Sequence, residues 1–125
     1  MPTVARILVI DDDANLRQTL ALVLQHAGYA VTTSDSAQEG LKSLEAQPFD
    51  LIFLDIAMPQ MNGTALLPKL RERYPRIPVM ILTGNLAPEP ASTLWQAGVS
   101  GYLSKPVDPE QILAQVSKLT SGDQV

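Results

Sequence analysis

The chain has 125 residues, 46% of them hydrophobic and 18% charged, and a formal net charge of −4. That length suits one domain with a packed core, and the acidic balance argues against direct binding to nucleic acid, whose phosphates require a basic patch. The absence of cysteine excludes disulfides and thiol chemistry. No apolar run approaches the roughly 18–20 residues of a membrane helix, and with no leader pattern ahead of Arg6 a cytoplasmic location is expected.

Arg6-Ile7-Leu8-Val9-Ile10 is a β-branched-rich run and predicts a first strand. Leu16, Leu20, Val23, Leu24 and Ala27 then recur at helical spacing as one apolar stripe, stopped by Gly28. Tyr29–Thr33 predicts a second strand. Ser36-Ala37-Gln38-Glu39 fits a capping box, with Ala37, Leu41 and Leu44 as the inner face of a second helix that closes at Gln47-Pro48. Leu51-Ile52-Phe53-Leu54 is uniformly apolar, as in a strand buried on both faces, and ends on Asp55. Pro59 and Asn62-Gly63 signal the turn beyond it. A third helix is predicted from about Asn62 to Tyr74, with Pro68 inside it as the cause of a kink or a late start. Pro78–Leu82 predicts a fourth strand ending at Thr83-Gly84. The stretch Asn85-Leu86-Ala87-Pro88-Glu89-Pro90 is a poor helix former, so a short helix is expected only from about Ala91 to Gly98. Tyr102-Leu103-Ser104 predicts a fifth strand. Asp108-Pro109-Glu110-Gln111 carries a cap, a proline at N1 and a glutamine at N3, opening a last helix whose inner face is Ile112, Leu113, Val116 and Leu119.

Strand and helix alternate five times over short connections, which demands an α/β fold: a parallel sheet with helices on both faces. In such a sheet the C-terminal strand ends share one edge, where ligands bind. Asp11, Asp12, Asp55, Thr83 and Lys105 each end or follow a strand, so they can converge there. Clustered carboxylates repel one another and cost stability unless a cation sits among them. All-oxygen acidic ligation suits a hard ion such as Mg²⁺. Lys105 adds a positive charge for a phosphoryl group and Thr83 a hydroxyl, with small Gly84 leaving room beside it. These parts suit phosphoryl transfer with Asp55 as the nucleophile.

At this point the chain resembles the receiver domain of two-component response regulators over nearly its whole length, 1–125. The resemblance rests on Ile7-Leu8-Val9-Ile10-Asp11-Asp12-Asp13, on Phe49-Asp50 through Asp55 with Met58-Pro59 and Asn62-Gly63, on Pro78-Val79 through Thr83-Gly84, and on Ala97-Gly98 through Lys105-Pro106. It implies a flavodoxin-like, three-layer (βα)5 fold with a parallel five-stranded sheet of order 2-1-3-4-5. It implies that Asp55 accepts phosphate from a histidine kinase or phosphotransfer protein, and that Asp11, Asp12, Asp55 and the backbone carbonyl of Ala57 hold Mg²⁺. Thr83 and Tyr102 become the switch residues and Lys105 the phosphoryl-pairing lysine. Such a domain is no turnover enzyme; it catalyses only its own phosphorylation and dephosphorylation. The signal would pass to an output domain, a downstream protein or a second copy of the chain. Pro68 and the Pro88/Pro90 pair depart from the usual receiver pattern.

Other readings compete. Asp11 and Asp12 could simply cap a helix, Asp13 is better read as a cap or a solvated side chain, and His26 as a partner of the helix dipole. Trp95 suits either the core or a contact surface. An aspartate-nucleophile phosphatase would share the acid, the Mg²⁺ and the sheet, but Asp11-Asp12-Asp13 is followed by Ala14-Asn15 where that family has a threonine or valine. A flavin phosphate would be repelled by three carboxylates after the first strand. A degenerate receiver serving only to bind proteins is the remaining alternative.

Overall fold

The structure, a computed structural model, describes residues 4–55, 63–83, 98–104 and 107–120. In residues 63–65, 83, 102 and 104 the backbone alone is described. The elements are β1 (Arg6–Ile10), α1 (Ala14–His26), β2 (Ala30–Ser34), α2 (Ala37–Ala46), β3 (Leu51–Asp55), α3 (Gly63–Arg73), β4 (Val79–Thr83), β5 (Gly101–Ser104) and a C-terminal helix (Pro109–Thr120). The strands form one sheet in the order β2-β1-β3-β4-β5, and every neighbouring pair is parallel. Among the described residues no helix is long and apolar enough to cross a membrane.

Period-two alternation divides the sheet residues between two cores. Leu8, Ile10, Ile52, Leu54, Val79 and Ile81 pack with Ala37 and Leu44 of α2 and with Leu66, Leu67 and Leu70 of α3. Ile7, Val9, Leu51, Phe53, Met80 and Leu82 pack with Leu20 and Leu24 of α1 and with Ile112 and Val116 of the C-terminal helix. A strand with helices on both sides has no polar face, which is why β1 and β3 read as unbroken apolar runs.

The helix ends follow their local chemistry. Asp13 caps α1, its carboxylate accepting from the amides of Asn15 and Leu16 at 3.0 and 3.3 Å. At the other end Gly28 adopts φ +101°, the Gly28 amide bonds the Gln25 carbonyl and the Tyr29 amide bonds the Leu24 carbonyl, both at 3.0 Å. These are the two bonds of a Schellman stop. Because the Tyr29 amide is used there, β2 begins at Ala30 rather than Tyr29 and runs on to Ser34. Ala27, expected on the buried stripe, is the cap residue and is exposed. Ser36 caps α2 through the Glu39 amide at 3.2 Å, and Asp108 caps the C-terminal helix through the Glu110 amide at 2.9 Å. Pro68 does not delay α3, which already runs from Gly63; it sits on the exposed face. The short helix expected near Ala91, with Trp95 in it, lies outside the described residues.

Arg71 ties α3 to the strand that follows. Its guanidinium donates to the carbonyls of Tyr74 at 3.2 Å and Pro75 at 3.4 Å, and to that of Ile77. Burial lowers its pKa from the ordinary arginine value through desolvation. Its stem runs past Gly98, where a Cβ would stand 2.8 Å from Arg71 Cδ. Gly98 itself adopts φ +95° just ahead of β5, so this position has two independent reasons to be glycine.

Candidate functional site

Parallel pairing brings the C-terminal ends of β1, β3, β4 and β5 to one edge of the sheet. Ile10 pairs with Leu54, so the next residues on these two strands, Asp11 and Asp55, are lateral neighbours. Both continue the alternation of Val9 and Phe53 and therefore lie toward the α1 face. Asp55 pairs in turn with Leu82, and Thr83 with Ser104. Tyr102 pairs with Ile81 within β5. Thr83 thus ends β4 one position beyond the level of Asp55. Its side chain and that of Tyr102, and the whole of Ala57 and Lys105, lie outside the described residues.

Asp11, Asp12 and Asp55 come together: each offers a carboxylate oxygen, and these oxygens lie within 4.8 Å of one another. Asp11 is fully buried, Asp55 is 3% exposed and Asp12 is exposed. The cluster is therefore an acidic site with two buried carboxylates and one that faces solvent. Asp13, adjacent in sequence, is not part of it; its side chain is spent on the α1 cap.

The β1–α1 junction is held from several directions. The Asp11 amide bonds the Ser34 carbonyl at the end of β2 at 3.1 Å. Asp11 Oδ1 accepts from the Asp13 amide at 2.8 Å. The Asp11 carbonyl accepts from Arg17 Nη1 at 2.6 Å, and the Arg17 amide donates to the Asp13 carbonyl at 3.0 Å. Sequence reasoning did not single out Arg17. Its signal was a long basic side chain six residues after Asp11, one turn into α1, within reach of the loop that precedes the helix.

The donor set is all oxygen and formally trianionic, which matches a hard divalent cation and not a soft or nitrogen-preferring metal. Two oxygens on one Mg²⁺ stand about 2.9–4.2 Å apart when each lies about 2.1 Å from the ion. A spread of up to 4.8 Å is close to that, so small side-chain adjustments suffice for the site to close on an ion. The residues present fit the metal.

Comparison with known proteins points the same way. The family model described as the response regulator receiver domain matches residues 7–117. The DNA-binding transcriptional regulator NtrC of Klebsiella pneumoniae is 36% identical over 113 residues, covering 90% of this chain and 24% of that protein. The transcriptional regulatory protein GlrR of Escherichia coli is 37% identical over 108 residues, 86% of this chain and 24% of its own. The chain thus spans about a quarter of the length of these curated relatives. Among solved structures, the chemotaxis protein CheY4 of Vibrio cholerae superposes with a TM-score of 0.87 at 32% identity, covering 94% of this chain and 99% of that one. A CheY-like receiver domain protein from Methanospirillum hungatei gives a TM-score of 0.89 at 32% identity, with 95% of each chain covered.

Proposed function

The chain belongs to the response regulator receiver domain family, and from that premise we propose that it is a phosphorylation-operated switch of two-component signalling with Asp55 as its phosphoacceptor. One observation carries the reading to particular residues: carboxylate oxygens of Asp11, Asp12 and Asp55 within 4.8 Å of one another at the ligand edge of a parallel sheet.

The donor is a phosphohistidine on a histidine kinase or phosphotransfer protein. A carboxylate oxygen of Asp55 attacks phosphorus and forms the O–P bond as the P–N bond breaks. The imidazole nitrogen leaves with the electron pair and takes a proton. Asp11, Asp12, Asp55 and the Ala57 carbonyl would hold Mg²⁺, which when bound would supply charge neutralisation for the phosphoryl oxygens. Lys105 pairs with the transferred group, and the Thr83 hydroxyl moves to it with Tyr102 following, so that phosphorylation shifts the population of a two-state surface. The position of Thr83 at the end of β4, beside the strand that carries Asp55, supports its part. The domain turns over no separate substrate on this reading; its chemistry is its own phosphorylation and dephosphorylation.

The same reading includes a flavodoxin-like (βα)5 fold, a cytoplasmic setting, and no direct contact with nucleic acid by this acidic domain. The partners of the switched surface are an attached output domain, a separate downstream protein or a second copy of the chain. Relatives named as DNA-binding transcriptional regulators, of which the chain spans 24%, support the first. Incubation with acetyl phosphate and Mg²⁺ tests the proposal. An acid-labile adduct of one phosphoryl group is expected on the parent protein and not on Asp55→Asn, and a parent protein that forms none would overturn it.

A further inference from the structure

We infer that Arg17 is a positioning residue for the acidic site, setting the direction of the Asp12 carboxylate through the Asp11–Asp12 peptide; this rests on the metal-binding reading above. Asp12 is the exposed ligand of the three, and its side chain has least packing to direct it. A peptide unit is planar, so an atom fixed at the Asp11 carbonyl also fixes the Asp12 amide and Cα. Arg17 Nη1 bonds that carbonyl at 2.6 Å, a short, charge-assisted contact. The Arg17 main chain is anchored independently, its amide on the Asp13 carbonyl at 3.0 Å. The guanidinium is thus a strut from the first turn of α1 back to the peptide between two of the three carboxylates. The bond from the Asp11 amide to the Ser34 carbonyl and the bond from the Asp13 amide to the Asp11 carboxylate hold other parts of Asp11, and neither of these two sets the plane of the peptide that follows.

The alternative role for a cation here is charge relief, and the two roles have opposite signs. A guanidinium that merely offsets the carboxylates competes with the metal, so its removal tightens Mg²⁺ binding. A strut that aims Asp12 helps the metal, so its removal weakens Mg²⁺ binding. Arg17 also lines an open cleft of about 260 Å³ with Thr33, Ser34, Asp35 and Glu39. Asp35 and Glu39 place two further carboxylates along that cleft, so the acidic site is not the only negative charge near Arg17, whereas its guanidinium is directed to the Asp11 carbonyl.

Calorimetric titration of metal-free protein with Mg²⁺ decides between them. Arg17→Met is expected to bind Mg²⁺ roughly tenfold more weakly than the parent, the low end of the loss seen when a group orienting a metal's ligands is removed. Arg17→Lys, which keeps one donor on a stem of similar length, is expected to stay within about threefold of the parent. A purely structural role would lower the unfolding midpoint and leave the Mg²⁺ dissociation constant unmoved. Unchanged or tighter binding by Arg17→Met overturns the inference while leaving the proposed function standing. A parent protein that takes up no Mg²⁺ overturns both. Should Arg17→Met fail to fold, Arg17→Gln, polar but uncharged and too short for the Asp11 carbonyl, separates weaker from tighter binding in the same way.

Discussion

Gly40→Ala measures how tightly the sheet is packed beside the acidic site. A methyl carbon at Gly40 of α2 would stand 2.5 Å from Ile10 Cδ1 and 2.9 Å from Ile10 Cγ1, well inside the roughly 3.5–4.0 Å at which carbon atoms rest. Ile10 is fully buried and immediately precedes Asp11. Two effects of opposite sign compete. Alanine is favoured over glycine within a helix by about 1 kcal/mol, whereas forcing an extra methyl into a filled core costs about 1–3 kcal/mol. A misfit of about 1 Å against a fully buried isoleucine, in an interior packed to ordinary density, belongs in the upper half of that range. The variant is therefore expected to be about 1 kcal/mol less stable than the parent, although it carries the better helix former.

Ile10→Val isolates the cause, because it removes the Cδ1 atom that the new methyl would strike. Alone it costs about 0.5–1.5 kcal/mol. With Gly40→Ala it should cost less than the sum of the two, by about 1 kcal/mol; the Cγ1 contact persists, so the relief is partial. Urea unfolding of the parent, both single variants and the double variant gives the coupling, provided the four share one m value. Additivity within about 0.3–0.5 kcal/mol would refute the packing argument, as would a Gly40→Ala protein at least as stable as the parent.

Asp13→Ala removes the cap that accepts from Asn15 and Leu16, at an expected cost of about 1 kcal/mol by denaturant unfolding; its Mg²⁺ affinity should stay within about threefold of the parent, since Asp13 is not one of the three converging acids. Arg71→Met leaves the carbonyls of Tyr74, Pro75 and Ile77 without their shared donor, and a loss of about 1–3 kcal/mol is expected. Arg71→Lys should recover less than half of it, because one ammonium cannot span the positions that the planar fork reaches.

Element types were legible in this chain largely because three of the described helices carry their own start chemistry and α1 its own stop. Asp13, Ser36 and Asp108 sit where caps belong, and Gly28 sits where a left-handed residue is needed. Boundaries were less legible where one group serves two elements. Tyr29 looks like a strand residue by composition, yet its amide completes the end of α1. Pro78 looks like the start of β4, yet it has no amide to give; its carbonyl accepts from Ile52, and the strand begins at Val79. Ser34 has poor strand propensity, yet it closes β2 and supplies the carbonyl that anchors Asp11.

The acidic site was legible as a set of strand ends and not as a geometry. Hydropathy cannot say which face of the sheet Asp11 or Asp55 takes, because Ile7 through Ile10 and Leu51 through Leu54 are apolar throughout and carry no alternation. Register and parity supply what is missing: Ile10 opposite Leu54 makes the two acids neighbours, and equal parity puts them on one side. A slip of one residue between β1 and β3 would send them to opposite faces. The register is in turn clasped at the other end of the same pair, where the Arg6 amide donates to Asp50 Oδ2 at 2.8 Å and the Asp50 amide to the Arg6 carbonyl at 2.7 Å. Two polar contacts at the N-terminal end of β1 and β3 thus help bring two carboxylates together at the C-terminal end. Asp50, unremarkable for chemistry, thus acts on the site from the far end of the strand pair.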